Sequence, residues 1–104
     1  MKIWIDDVRP APDSSFYWAQ SVNDAKAAII MAERYKGGNT IVIELIDTDH
    51  DAGDFAQYGG DFIKLLDWLE ETGRSYPIRI HSMNPVGVQN MRAIIRRNNW
   101  KEVY

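Results

Sequence analysis

Between residues 46 and 54 the chain reads IDTDHDAGD, which sets Asp47, Asp49, Asp51 and Asp54 around His50. Carboxylates this close repel one another unless a cation or shared protons offset their charge, so metal binding and proton transfer are the chemistries to test. Asp6-Asp7 with Arg9, and His81-Ser82-Met83-Asn84, bring groups of the same kind from elsewhere in the chain. An imidazole moves protons near neutral pH, a neighbouring carboxylate orients it, and a guanidinium grips phosphate with a planar fork. Asp47, Asp49 and Asp51 also match the opening ligand spacing of an EF-hand loop. The rest of that motif is missing: Ala52 replaces the turn glycine, Tyr58 replaces the closing glutamate, and the apolar Ile41-Val42-Ile43 precedes the loop where a helix is needed.

The elements that position these groups follow from hydrophobic period. Residues 2–5 and 16–20 read as short strands, separated by the proline-containing loop VRPAPDSS. Ser21, with Asp24 after it, caps a helix bearing Val22, Ala25, Ile29 and Ala32 on one stripe, and Gly37-Gly38 suits its C-terminal cap. Residues 40–46 are β-branched and apolar, as expected of a central strand covered on both faces. A helix over 60–72 buries Phe62, Leu65, Leu66 and Leu69; residues 78–81 form a strand; Asn84-Pro85 opens a helix with Met91, Ile94 and Ile95 inward; residues 100–104 form an edge strand. Strands alternating with helices predict a small doubly wound parallel α/β sheet, whose ligands bind beyond the carboxyl ends of the strands. Asp6-Asp7, Asp49-His50-Asp51 and His81 to Asn84 all follow strands, so they meet at that edge.

The composition supports one domain over residues 1–104, since 45% of the 104 residues are hydrophobic. With no cysteine, disulfides, thiolate metal sites and thiol nucleophiles are excluded, and a metal must take oxygen or imidazole ligands. No long apolar run, export signal or lipidation motif is present, so no membrane association and a cytoplasmic location are expected. The net charge of -3 and the lack of a DNA-binding motif give no electrostatic case for DNA. Arg92, Arg96, Arg97 and Lys101 read as a solvated helix face. Carboxylates of Asp6 or Asp7 with Asp49 can hold a Mg²⁺ or Mn²⁺ ion that completes its shell with water and phosphate oxygens.

KIWIDDVRPAP at the N-terminus, DHDAG at 49–53, GGDF at 59–62 and IHSMNPVGVQNM at 80–91 together resemble the cyclic-phosphate processing receiver-like domains, a divergent branch of the response-regulator receiver fold. The resemblance implies a receiver/flavodoxin-like sheet that lacks the first and last helices. It places the acidic pair on Asp6 and Asp7, the central aspartate on Asp49 and the following hydroxyl on Ser82, and adds His50, His81, Asn84 and Asn90. The chain departs from receivers at Lys101, which begins the last strand instead of ending it, and from the branch at Asp47-Thr48 and in a longer DFAQY segment.

Opening a cyclic phosphodiester needs a base for water, an acid for the departing ribose oxygen, and donors or positive charge on the phosphate. His50 and His81 are the expected acid/base pair, Asp49 or Asp51 the group that orients an imidazole, and Arg9, Ser82, Asn84 and Asn90 the substrate contacts. Asn90 has a second reading, as a brace for the loop from inside the fold. The expected activity is a phosphoesterase acting on a cyclic phosphate of a nucleotide or RNA end. The alternative is a phosphoacceptor or non-catalytic receiver that binds a protein partner or senses a nucleotide.

Overall fold

The computed structural model describes residues 1–38 and 40–104. The elements are β1 (Lys2–Ile5), β2 (Phe16–Ala19), α1 (Val22–Arg34), β3 (Leu45–Thr48), a 3-10 segment (Gly53–Tyr58), α2 (Ile63–Glu71), β4 (Ile78–Ile80), α3 (Pro85–Arg97) and β5 (Glu102–Val103). The strands form one five-stranded sheet in the order β2-β1-β3-β4-β5, with every neighbouring pair parallel. This is the receiver-like order, with a loop in place of the first helix.

Each helix starts and stops for a local reason. The Ser21 hydroxyl accepts from the Asp24 amide, while the Asp24 carboxylate takes the Tyr17 hydroxyl, so only half of a capping box forms. The expected glycine cap does not form: α1 ends at Tyr35 in an extended conformation, and neither Gly37 nor Gly38 has positive φ. α2 begins later than its hydrophobic pattern suggests because Gly59 and Gly60, at φ 114 and 94, turn the chain out of helical geometry first. α3 has Asn84 as N-cap, its Oδ1 accepting from the Gly87 amide, and Pro85 in its first turn. Glu70 of α2 is tied to α3 by the Arg97 fork and Asn98, which hold its carboxyl down to about 2.

The central strand is displaced from its expected place. Residues 40–44 precede β3, because β1, its neighbour, begins only at Lys2, which pairs with Leu45. Only Met1 reaches further, with the Glu44 amide donating to its carbonyl and its own amine reaching the Val42 carbonyl. At the other end β3 continues through Asp47 and Thr48, so Asp47 lies inside the sheet.

The connections β2 to β3, β3 to β4 and β4 to β5 all run in one direction across the sheet, and right-handed crossovers therefore put all three helices on one face. That face carries Ile3, Ile5, Ala19, Ile46 and Ile78, all fully buried against the helical stripes of Val22, Ala25, Ile29, Phe62, Leu65, Leu66, Leu69, Met91 and Ile95. The opposite face carries the row Trp18, Trp4, Asp47 and Arg79, with no described helix over it. No helix among the described residues is long and apolar enough to cross a membrane.

The core and the caps contribute differently to stability. Leu66→Ala removes a fully buried side chain and should cost about 2–5 kcal/mol, whereas Ser21→Ala loses one cap bond and should cost about 1 kcal/mol. Denaturant unfolding of both variants measures the difference; equal losses would show that the helix stripe is not the core.

Candidate functional site

The carboxyl edge of the sheet gathers the acids that follow β1 and β3. Asp6, 2% exposed, accepts from the amides of Val8 and Arg9 at 3.0 and 2.7 Å, a turn that folds the loop back over the edge. The Asp49 amide donates to the Ile5 carbonyl at 2.8 Å, and its Oδ1 accepts from the His50 amide at 2.7 Å. One carboxylate oxygen from each of Asp6, Asp7 and Asp49 lies within 4.8 Å of the others. Asp7 feels this crowding: burial, and then the charges of Asp6 and Asp49, raise its pKa above the ordinary carboxylate value, against the pull of local amides. Gly53, at φ 53, is bare where a Cβ would collide with Asp7 Oδ2. An all-oxygen cluster with unrelieved negative charge has the donor chemistry of a hard divalent cation site.

His81 stands between two carboxylates. Its Nδ1 lies 2.7 Å from Asp47 Oδ1 and its Nε2 lies 3.0 Å from Asp6 Oδ2. Each ring nitrogen therefore faces a carboxylate oxygen, and the imidazole bridges the ends of β1 and β3. Trp4 stacks on it with centroids 3.7 Å apart and planes 5° apart, and the indole is itself fixed by Nε1 donating to the Arg9 carbonyl. Trp18 Nε1 donates to the Asp6 carbonyl and Gln20 Nε2 to that of Asp7, which pins the same loop from β2.

His50 is held differently. Its Nδ1 is 2.7 Å from Asp51 Oδ1, which also accepts from Asn84 Nδ2 at 3.3 Å. The His50 bond, the largest effect, lowers the Asp51 pKa against the opposing effect of burial, and the weaker Asn84 bond adds to the lowering. The ring packs on α3 where Gly87 leaves room, since a Cβ there would stand 2.5 Å from His50 Cγ. Among the described residues, Nε2 of His50 has no hydrogen-bond partner.

A cleft of about 430 Å³ opens over this edge, lined by Arg9, Asp49, Asp51, His81, Ser82, Met83 and Asn84. The structure thus brings together Arg9, Asp49, Asp51, His81, Ser82 and Asn84 as expected, with Asp6, Asp7 and His50 beside them. Asn90 is not part of the site. It is exposed on the second turn of α3, outside the cleft lining, because the helical period aims its neighbours Gly87 and Met91 inward instead. Asp47 and Trp4 are the residues the sequence left without a role; a carboxylate within a β-branched run was the available signal, since it must find a partner when buried.

A parallel sheet in receiver order, with paired acids after β1, an aspartate after β3 and a serine after β4, defines a receiver-like domain. A family model for the cyclic-phosphate processing receiver domain matches residues 1–97, and the chain belongs to that family. No curated protein and no solved structure matches the chain.

Asp7 and Asp51 make opposite contributions with pH. The raised Asp7 pKa means the folded state holds its proton longer than the unfolded one, so stability is lost as pH rises through the folded value; the lowered Asp51 pKa means stability lost as pH falls through its own. Asp7→Asn should therefore raise the Tm at pH 7 in chelator, by a margin that shrinks on acidification below the folded Asp7 value. A variant that melts no higher than wild type at neutral pH would show that the Asp7 charge is not under strain.

Proposed function

We propose that the protein is a phosphoesterase that opens a cyclic phosphate on a nucleotide or RNA end. One observation carries this reading: a cleft lined by Arg9, Asp49, Asp51, His81, Ser82 and Asn84 lies beside the carboxylates of Asp6 and Asp7 and beside His50, whose Nδ1 is held by Asp51. The family description points to the same substrate group.

Asp6, Asp7 and Asp49 would hold a Mg²⁺ or Mn²⁺ ion, which when bound neutralises charge on the phosphate oxygens. Arg9 grips those oxygens, and the Ser82 hydroxyl with the Val86 amide at the start of α3 receives the remainder. His50, with Nδ1 fixed by Asp51, takes a proton from water at Nε2 as the water oxygen attacks phosphorus. The ring P–O bond breaks, and the departing ribose oxygen takes a proton back from the same imidazole. His81, engaged at both nitrogens, holds Asp6 in place at the cleft wall.

The phosphoacceptor alternative needs a cation beside Asp49 to pair with a phosphoryl group. Lys101 precedes β5, with its carbonyl accepting from the Ile78 amide at the start of β4, which is the end of the sheet away from the cleft. That placement favours turnover over stable phosphorylation.

Incubation with 2′,3′-cyclic nucleotides and Mg²⁺, followed by phosphorus NMR, should show ring opening to a monoester. His50→Ala should slow it by about 10²–10⁴-fold while circular dichroism stays that of wild type. A wild type inert towards every cyclic nucleotide and cyclic-phosphate RNA end, with Mg²⁺ or Mn²⁺ present, would end the enzyme reading; uptake of phosphate from acetyl phosphate, lost in Asp49→Asn, would establish the alternative.

A further inference from the structure

We infer that Asp47 is a positioning residue for the acidic cluster, acting through His81. The inference rests on the reading of Asp6, Asp7 and Asp49 as a divalent-cation site.

Asp47 is 1% exposed on the face of β3 that has no described helix over it. A carboxylate so placed needs a close partner. Arg79 approaches its Oδ2 only to 3.8 Å, whereas His81 Nδ1 stands 2.7 Å from its Oδ1. The His81 bond is therefore the strong one, and its effect is geometric. Trp4 fixes the plane of the imidazole by stacking but accepts equally the orientation flipped by half a turn about Cβ–Cγ, which exchanges nitrogen and carbon positions. The bond to Asp47 selects the orientation that places Nε2 3.0 Å from Asp6 Oδ2. Asp6 already gives Oδ1 to two backbone amides, so His81 sets how its second oxygen faces Asp7 and Asp49. Without Asp47, the ring can flip and present a carbon to Asp6 or turn away from it, and the three-carboxylate geometry loosens. Partners one step removed from the ligands, as His81 is, commonly change cation affinity by about 10–100-fold, and Asp47 acts through that partner.

The test compares Asp47→Val, which removes the acceptor, with Asp47→Asn, which removes the charge but keeps an oxygen for Nδ1–H. Mg²⁺ and Mn²⁺ titrations of the full chain by calorimetry are read beside nuclear Overhauser contacts between the His81 and Trp4 rings. Asp47→Val should lose about 10–100-fold in cation affinity and change the ring contacts. Asp47→Asn should keep the contacts and stay within a few-fold of wild type. Equal affinity in Asp47→Val and wild type overturns the inference, as does an equal loss in both variants, which would make the charge alone responsible. A wild type that binds neither cation defeats the cation reading and this inference together, so the two failures are told apart. Thermal melting of each variant shows that losses are read on folded protein.

Discussion

Like charges crowd the carboxyl edge of this sheet, and the imidazole of His81 is what allows them to coexist. Asp6 arrives from β1, Asp47 from β3, and the histidine between them from the end of β4. The imidazole, 2.7 Å from one carboxylate and 3.0 Å from the other, joins the three strands at this edge. The network is closed on itself. Asp7 and Asp49 are outside it, and burial, followed by the charges of Asp6 and Asp49, raises the Asp7 pKa. The edge therefore has two electrostatic zones, a satisfied wall and an unsatisfied cluster in front of it, and the second is the one suited to a ligand of opposite charge.

The missing first helix is what makes room for that wall. In a sheet covered on both faces, the row of Trp4 and Asp47 would lie beneath a helix, and an imidazole could not stack there from the β4 end. Here the loop after β1 does the covering, and it is held down by indoles: Trp4 on the Arg9 carbonyl and Trp18 on the Asp6 carbonyl. The same tryptophans are thus part of the reason Arg9 reaches the cleft at all. Aromatic residues that a composition scan offers as base-stacking candidates are occupied here in shaping the site, although Tyr58 remains half exposed on the 3-10 segment.

Much of this arrangement was legible from period and position. The stripes Val22-Ala25-Ile29-Ala32, Phe62-Leu65-Leu66-Leu69 and Met91-Ile94-Ile95 read as buried helix faces and are buried, because amphipathic spacing leaves a helix one way to pack. The convergence of Asp49, His81 and Asn84 followed from placing each after a strand. What the sequence could not show was register. Residues 40–46 look like the strand by hydrophobicity alone, yet pairing with β1 shifts it to Leu45–Thr48 and carries Asp47 inside. Asn90 failed for the related reason that its spacing from Gly87 says nothing about which side of α3 meets the cleft. The role of His81 was hidden for the same cause, since its partners lie at distant positions in the chain and only the register of three strands brings them together.

Glycine marks where the site needs backbone and side chain at closer quarters than a Cβ allows. Gly53 must turn with positive φ to leave space for the Asp7 carboxylate, and Gly87 must be bare for the His50 ring to lie on the first turn of α3. The second constraint has the larger consequence. Asn84 caps α3 through the Gly87 amide and donates to Asp51, which orients His50. One helix start therefore fixes the imidazole by contact, by an oriented carboxylate and by a cap bond at once. A methyl at 87 would push the ring away while leaving the cap able to form, separating the placement of His50 from the start of α3. The two halves of the site are coupled through a packing distance, and that coupling is why DHDAG and NPVG, far apart in sequence, have to be read together.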